Sequence, residues 1–257
     1  WRQTGELENK PVFQHEVADK FSWVDDAIAR QIKAYYYAMI SGIDHAVGRI
    51  LHCLEEENLT EDTIVVFMSD HGELLGDHGL LYKGPYLYES LLRVPLAIRW
   101  PGHIAPGQRV ASIVQEVDLM PTLLKMTGIQ TPAGNQGRSL LPLITEQGGD
   151  TSRFDWNITI YRNSSWSWMH FNLDLSVLVT PRWKLIHYHD HDCGELYDLQ
   201  NDPHEFHNLW NDAGYQSRKH ALQIYLFDLL VHTEDPLPPI EKGTLRPREQ
   251  WAHAGQL

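Results

Sequence analysis

Apolar residues recur at spacings of three and four positions along residues 24–59, which predicts a long amphipathic helix. Asp25 and Asp26 at the start of this segment suit the positive end of the helix dipole. Two further helices are predicted for residues 118–126 and 215–231. We therefore expect one long helix near the start of the chain and two shorter ones later.

Short apolar runs rich in β-branched residues predict the strands of the first half. Residues 63–68 form such a run between polar positions, which is typical of a parallel strand buried on both faces. Residues 94–100 and 110–114 predict two more strands. Because strands alternate with helices here, the pattern indicates α/β layering.

Beyond Asp150 the pattern changes to short runs in which apolar and polar residues alternate. No helix of useful length is predicted between the last three runs, which favours an antiparallel sheet. The runs cover residues 157–161, 176–180, 183–189 and 195–199. We therefore expect an α/β domain over residues 1–149 and a smaller α+β domain with an antiparallel sheet over residues 150–257.

The residues that follow the run at 63–68 carry the candidate chemistry. Asp70 and His71 come directly after it, and Lys83 lies 12 positions after His71 in a stretch with several glycines. In open α/β sheets, ligands bind beyond the carboxyl ends of parallel strands. An anionic ligand held between a metal and an ammonium group is the simplest use of these three side chains.

Three motifs follow the predicted strand in a fixed order. They read Ser-Asp-His-Gly-Glu, Gly-Asp-His-Gly-Leu and Lys-Gly-Pro-Tyr-Leu-Tyr-Glu. In this order they resemble the formylglycine-dependent sulfatases and the related phosphonate monoester hydrolases, members of the alkaline phosphatase superfamily. The resemblance extends to residues 37–44, 93–102, 117–124 and 195–203, and several ordered motifs match by chance far less often than one does.

The resemblance implies a fold and a set of site residues. The implied fold is the carboxyl-terminal part of an alkaline-phosphatase-like α/β sandwich domain, followed by the smaller α+β domain. Residues that match Asp70 and His71 hold a divalent metal in that family, and Lys83 matches a lysine that contacts the sulfate oxygens. We therefore expect Lys83 to be catalytic. His78 is a weaker candidate for substrate binding, because bracing of the loop explains it equally well.

The cofactor that the resemblance implies is a divalent metal. Calcium is usual in the family, and a carboxylate such as that of Asp70 suits a hard cation. The imidazole nitrogen of His71 is a less natural calcium ligand, so manganese stays open.

The nucleophile motif of the resembling family, Cys/Ser-x-Pro-x-Arg, does not occur in this sequence. Neither of its two cysteines, Cys53 and Cys193, has Pro two positions later and Arg four positions later. The resemblance therefore implies that the formylglycine lies in a missing N-terminal part of the same enzyme, and that this chain alone is inactive.

Three functions remain open at this point. The first is hydrolysis of sulfate monoesters, with a sulfated small molecule or glycan as the substrate. The second is hydrolysis of phosphonate or phosphate esters by the same scaffold. The third is a non-catalytic chain that retains the metal loop.

The composition narrows the choice of partners. The chain has 21 basic and 34 acidic residues, a net charge of −13, which disfavours nucleic acid as a partner. No apolar run approaches the length of a membrane span, and the first residues do not resemble a signal peptide. The sequence therefore predicts a soluble chain without a membrane span and leaves the compartment open.

His187, His189 and His191 alternate along a predicted strand and would share one face, as zinc ligands can. The chain contains 15 histidines, and an exposed strand face or hairpin explains this alternation more simply.

Overall fold

The computed structural model describes residues 7–145, 154–162 and 173–234. The chain divides into two compact units, one that ends at Gln108 and one that begins at Arg109. The domain boundary predicted at residues 149 and 150 lies outside the described residues, so that division stays a prediction.

Over its described residues, the first unit contains three α-helices and one strand pair. They are α1 (Val12–Lys20), α2 (Asp26–Glu56), β1 (Val65–Met68), α3 (Glu89–Leu92) and β2 (Leu96–Arg99).

Helix α2 confirms the long helix predicted from the apolar spacing. Asp25 caps it, because its carboxylate accepts a hydrogen bond of 2.8 Å from the backbone N–H of Ile28. Ala29 is the only buried residue of this fully described helix. Several of its larger apolar side chains are exposed, among them Tyr35, Tyr37, Met39, Ile40, Ile43 and Ile50. Among the described residues, no helix is both long and apolar enough to cross a membrane.

Strand β1 runs antiparallel to β2, with Val65 opposite Arg99 and Met68 opposite Leu96. The prediction of a parallel strand buried on both faces was therefore wrong. The sheet has two strands in the described part of the chain, and Phe67 remains 41% exposed. A two-stranded ribbon without a further neighbour leaves much of its apolar surface in contact with water.

The second unit is built on an antiparallel sheet, as predicted, and its strand order is β3–β4–β5–β6. Its elements are α4 (Leu119–Met126), α5 (Leu141–Ile144), β3 (Asn157–Tyr161), β4 (Leu175–Val179), β5 (Trp183–Tyr188), β6 (Gly194–Asp198) and α6 (Gln216–Glu234). The strand predicted at residues 110–114 does not form. The backbone N–H of Ile113 instead makes a single long-range hydrogen bond of 3.0 Å to the carbonyl of Phe154.

One face of this sheet forms the apolar core. Leu178, Leu185 and Leu196 lie side by side on β4, β5 and β6, and each is fully buried. They pack with Trp210 and with the buried leucines of α6. A period of two along each strand therefore places Leu178, Leu185 and Leu196 against helix α6.

The other face carries polar groups that are also buried. The Lys184 ammonium lies 2.7 Å from the carboxylate of Glu205, and both side chains are almost entirely buried. The carboxylate of Glu195 accepts hydrogen bonds from the hydroxyls of Tyr188 and Tyr197. These buried charges are paired or hydrogen-bonded, which is the condition under which a fold tolerates them.

Candidate functional site

The segment after β1 folds back tightly on itself. The backbone N–H of Gly72 donates to the carbonyl of Leu91 at 2.8 Å. A Cβ atom at position 72 would lie 1.9 Å from the carbonyl oxygen of Ser90, so only glycine fits there. Further along, Leu75, His78 and Tyr82 adopt positive φ angles of 48°, 51° and 64°. Such a concentration of costly backbone conformations is typical of functional loops.

This fold brings Asp70, His71 and Lys83 together. The Nζ atom of Lys83 lies 2.8 Å from Nε2 of His71, although 12 positions separate them in the sequence. The same Nε2 atom lies 3.6 Å from Oδ2 of Asp70. The other carboxylate oxygen of Asp70 accepts a hydrogen bond of 2.9 Å from the backbone N–H of His71.

The hydrogen bonds define the tautomer of the neutral His71 ring. Its Nδ1 atom lies 2.8 Å from the carbonyl oxygen of Gly72, which can only accept, so Nδ1 carries the proton. The Nε2 atom then offers its lone pair to the ammonium of Lys83. The hydroxyl of Ser69 donates to the carbonyl of His71 at 2.9 Å and adds a second local restraint.

The carboxyl group of Asp70 is suited to remain ionised. The hydrogen bond from the backbone N–H of His71 lowers its pKa most, and the charges of His71 and Lys83 lower the pKa further. Its side chain is 82% exposed, so solvent and ligands can reach it.

Asp70 and His71 fit part of a divalent cation site. They present an anionic oxygen and an imidazole nitrogen 3.6 Å apart, and a cation about 2.3–2.6 Å from each atom can bridge that separation. Over the described ranges, no group of three or more His, Cys, Asp and Glu side chains is arranged to hold a metal. Asp70 and His71 would therefore account for two ligands of such a site.

His78 lies in a different environment from these three residues. It is fully buried, and its ring stacks on Tyr88 with 3.7 Å between the ring centroids. The Tyr88 hydroxyl donates to the side chain of Gln14 at 2.6 Å, and the ammonium of Lys10 lies 4.8 Å from the Tyr88 ring centroid. This packing favours bracing of the loop, while substrate binding by His78 stays a prediction.

Sequence reasoning missed the backbone groups that orient the site. The carbonyl of Gly72 selects the tautomer of His71, and Tyr88 stacks on His78 beneath the loop. The available signal was the glycine directly after the Asp-His pair, since glycine allows the close approach to Ser90.

The second histidine cluster does not form a metal centre in the part of the chain that the structure covers. His187 and His189 do share a face, with ring centroids 4.9 Å apart. Burial lowers the pKa of His187, and the charge of His189 lowers it further. His189 is held by Ser176, whose hydroxyl lies 2.8 Å from its Nε2 atom. Both histidines therefore pack as part of the sheet.

Two family models match the chain. The model described as N-sulphoglucosamine sulphohydrolase, C-terminal, matches residues 76–231. The model described as sulfatase matches residues 6–129 and therefore includes Asp70, His71 and Lys83.

Curated relatives match over most of the chain. An arylsulfatase K of Xenopus laevis is 37% identical over 185 residues, which are 70% of this chain and 34% of that protein. An N-acetylglucosamine-6-O-sulfatase of Bacteroides thetaiotaomicron is 33% identical over 216 residues, which are 82% of this chain and 37% of that protein. The chain thus spans little more than a third of the length of these relatives.

Solved structures share the fold. One is described as a complex with its substrate D-glucosamine-2-N,6-O-disulfate; its TM-score is 0.74 at 28% identity, over 90% of this chain and 48% of that one. The phosphonate monoester hydrolase of Agrobacterium radiobacter has a TM-score of 0.73 at 29% identity, over 86% of this chain and 46% of that one. These likenesses confirm the predicted fold class, an α/β fold followed by a domain with an antiparallel sheet.

Proposed function

This chain belongs to the sulfatase family of the alkaline phosphatase superfamily, and from that premise we propose that it supplies part of the active site of a metal-dependent sulfatase. The observation that carries the proposal is the convergence of Asp70, His71 and Lys83. An ionised carboxylate, an imidazole lone pair and an exposed ammonium group lie within a few ångströms of one another.

Each of the three residues has a distinct role in this proposal. Asp70 and His71 would hold a divalent metal, with calcium favoured and manganese open. When bound, such a metal polarises the oxygens of a sulfuryl group. The ammonium of Lys83 binds the sulfate oxygens and stabilises the charge that develops as the ester bond breaks. One such preorganised group is typically worth about 2.7–4 kcal/mol.

We further propose that the nucleophile, a formylglycine, lies outside these 257 residues. The sequence has no Cys/Ser-x-Pro-x-Arg motif, and the chain spans 34% and 37% of the two sulfatases named above. The chain on its own is then inactive towards sulfate esters.

The substrate that we propose is a sulfated glycan containing glucosamine. Two independent likenesses support it: the family model named for N-sulphoglucosamine sulphohydrolase and the structure described with a glucosamine disulfate.

Hydrolysis of phosphonate esters is the second candidate. The likeness to the phosphonate monoester hydrolase of Agrobacterium radiobacter supports it. Its TM-score of 0.73 and identity of 29% nearly equal the 0.74 and 28% of the structure described with a glucosamine disulfate.

Assays on the whole protein test the proposal. It should hydrolyse an aryl sulfate and a 6-O-sulfated glucosamine faster than phenyl phosphonate, whereas the purified 257-residue chain should hydrolyse none of them. Robust turnover of aryl sulfate by the chain alone would refute the external nucleophile. A whole protein that prefers phenyl phosphonate would select the second candidate.

A further inference from the structure

The ring of His71 has one position left at which it can bind a cation. Its Nδ1–H group is already used by the carbonyl of Gly72 at 2.8 Å. A neutral imidazole has one lone pair, and here it is on Nε2. Any cation that binds His71 in this orientation must use that atom.

Two cations can bind the Nε2 atom: the ammonium of Lys83 and a divalent metal. Lys83 donates to it at 2.8 Å, and Oδ2 of Asp70 lies 3.6 Å from it. The ammonium therefore already lies beside the two atoms that a divalent metal would bind. One lone pair cannot serve an N–H donor and a metal at the same time.

We propose that Lys83 and the divalent metal compete for Nε2 of His71, so that metal binding releases Lys83 to bind the sulfate group. The proposal rests on the metal role assigned above to Asp70 and His71. Lys83 is exposed and carries its charge on a flexible four-carbon stem, so it can change partners without desolvating a buried charge.

The competition for His71 couples the binding of the metal to the binding of sulfate. A sulfate anion that holds Lys83 removes the competitor from His71 and so strengthens metal binding. By thermodynamic linkage, the metal must strengthen sulfate binding by the same factor. Metal and sulfate would therefore bind cooperatively, because each favours the state in which Lys83 has left His71.

Calorimetric titration of the metal-free whole protein with Ca²⁺ and with Mn²⁺ tests this. Lys83→Ala should bind the metal about three- to tenfold more tightly than the parent, because a competing positive charge is gone. Inorganic sulfate should tighten metal binding more in the parent than in Lys83→Ala, where only its direct attraction to the metal remains. Lys33→Ala, which removes an exposed lysine from α2, is the matched control for net charge and should bind like the parent.

The ¹⁵N chemical shifts of the His71 ring supply a second measurement. In the parent, the metal should change the Nε2 shift and leave the Nδ1 shift near its protonated value. Metal affinity that is unchanged or weaker in Lys83→Ala would contradict the competition. No metal binding in any variant, including Lys83→Ala, would contradict the metal role itself and with it this proposal.

Discussion

Lys83 in the first unit and Lys184 in the second both place an ammonium group within hydrogen-bond distance of a partner side chain, but they differ in exposure. Lys83 is exposed beside His71, and the neighbouring carboxylate of Asp70 is 82% exposed. Lys184 is fully buried against Glu205 at 2.7 Å. A buried pair that loses a partner leaves a charge in a low dielectric, whereas an exposed group changes partners at little cost. Burial thus separates a lysine that stabilises the fold from one available for chemistry.

The same contrast holds for the apolar residues. In the second unit, the leucines of β4, β5 and β6 are fully covered by helix α6 and Trp210. In the first unit, Phe13, Leu80 and Leu91 are buried, but large apolar residues of α2 such as Ile43 are exposed, and Phe67 of β1 is 41% exposed. Helix α2 and strand β1 should therefore contribute less to stability than the sheet of the second unit.

Removal of the Lys184 side chain should have the largest effect on the free energy of unfolding. Lys184→Ala should lower the free energy of unfolding by about 3–5 kcal/mol, because Glu205 would stay charged and buried without this partner. Lys83→Ala should change it by no more than about 0.5 kcal/mol, as is usual for exposed side chains. Urea unfolding followed by circular dichroism measures both.

A double variant sharpens this test. Replacing both partners, in Lys184→Met with Glu205→Leu, should recover most of the loss, because no unpaired charge remains. Equal losses of unfolding free energy in Lys184→Ala and Lys83→Ala would show that burial does not distinguish the two lysines.

The difference in burial between apolar residues of β6 and α2 predicts the next largest difference in unfolding free energy. Leu196→Ala should cost about 2–5 kcal/mol, since the fully buried side chain leaves a cavity. Ile40→Ala in α2, where the side chain is 45% exposed, should cost less than about 0.5 kcal/mol. The same unfolding experiment applies. A larger loss for Ile40→Ala would show that α2 is covered in solution.

A smaller effect should appear in the pH dependence of stability. The hydrogen bond with Arg182 lowers the pKa of Asp198 below its usual 3.8, and Asn201 contributes further. Because the folded-state pKa is the lower one, the stabilisation is complete well above pH 3.8 and is lost as the pH falls through the folded-state value.

Arg182→Ala checks this linkage. It should lower stability at pH 7 only slightly, because the Arg182 side chain is about half exposed and its ion pair is screened. The difference between the variant and the parent should shrink as the pH falls below 3.8. A difference that grows on acidification would contradict the assignment.

The sequence was most informative where local pattern decides structure. The strands described in the second unit lie within one residue of the predicted runs, because short apolar runs bounded by turn residues are a local signal of strands. The acidic residues at its start and the apolar spacing likewise predicted α2. Non-local pairing was harder to predict: nothing within residues 63–68 specifies that their neighbour is β2 in the antiparallel direction.

For the site too, the sequence indicated the residue types but not the contacts that depend on the fold. Side-chain types pointed to Asp70, His71 and Lys83, and the structure brings these three together. The sequence did not reveal that the carbonyl of Gly72 orients the His71 ring, because every residue has a carbonyl. Nor did it reveal the stack of His78 on Tyr88, which depends on how the loop packs.

Metal content and initial rate, measured together on three variants of the whole protein, test whether Asp70 and His71 bind a metal and Lys83 acts on the sulfate. Lys83→Ala should lower the rate by about two to three orders of magnitude while the bound metal stays near normal. His71→Ala should lose metal and regain part of its activity in excess metal, and Asp70→Asn should lose more, because it removes the anionic ligand. Unchanged kinetics in Lys83→Ala, or a full metal content in Asp70→Asn, would contradict the account.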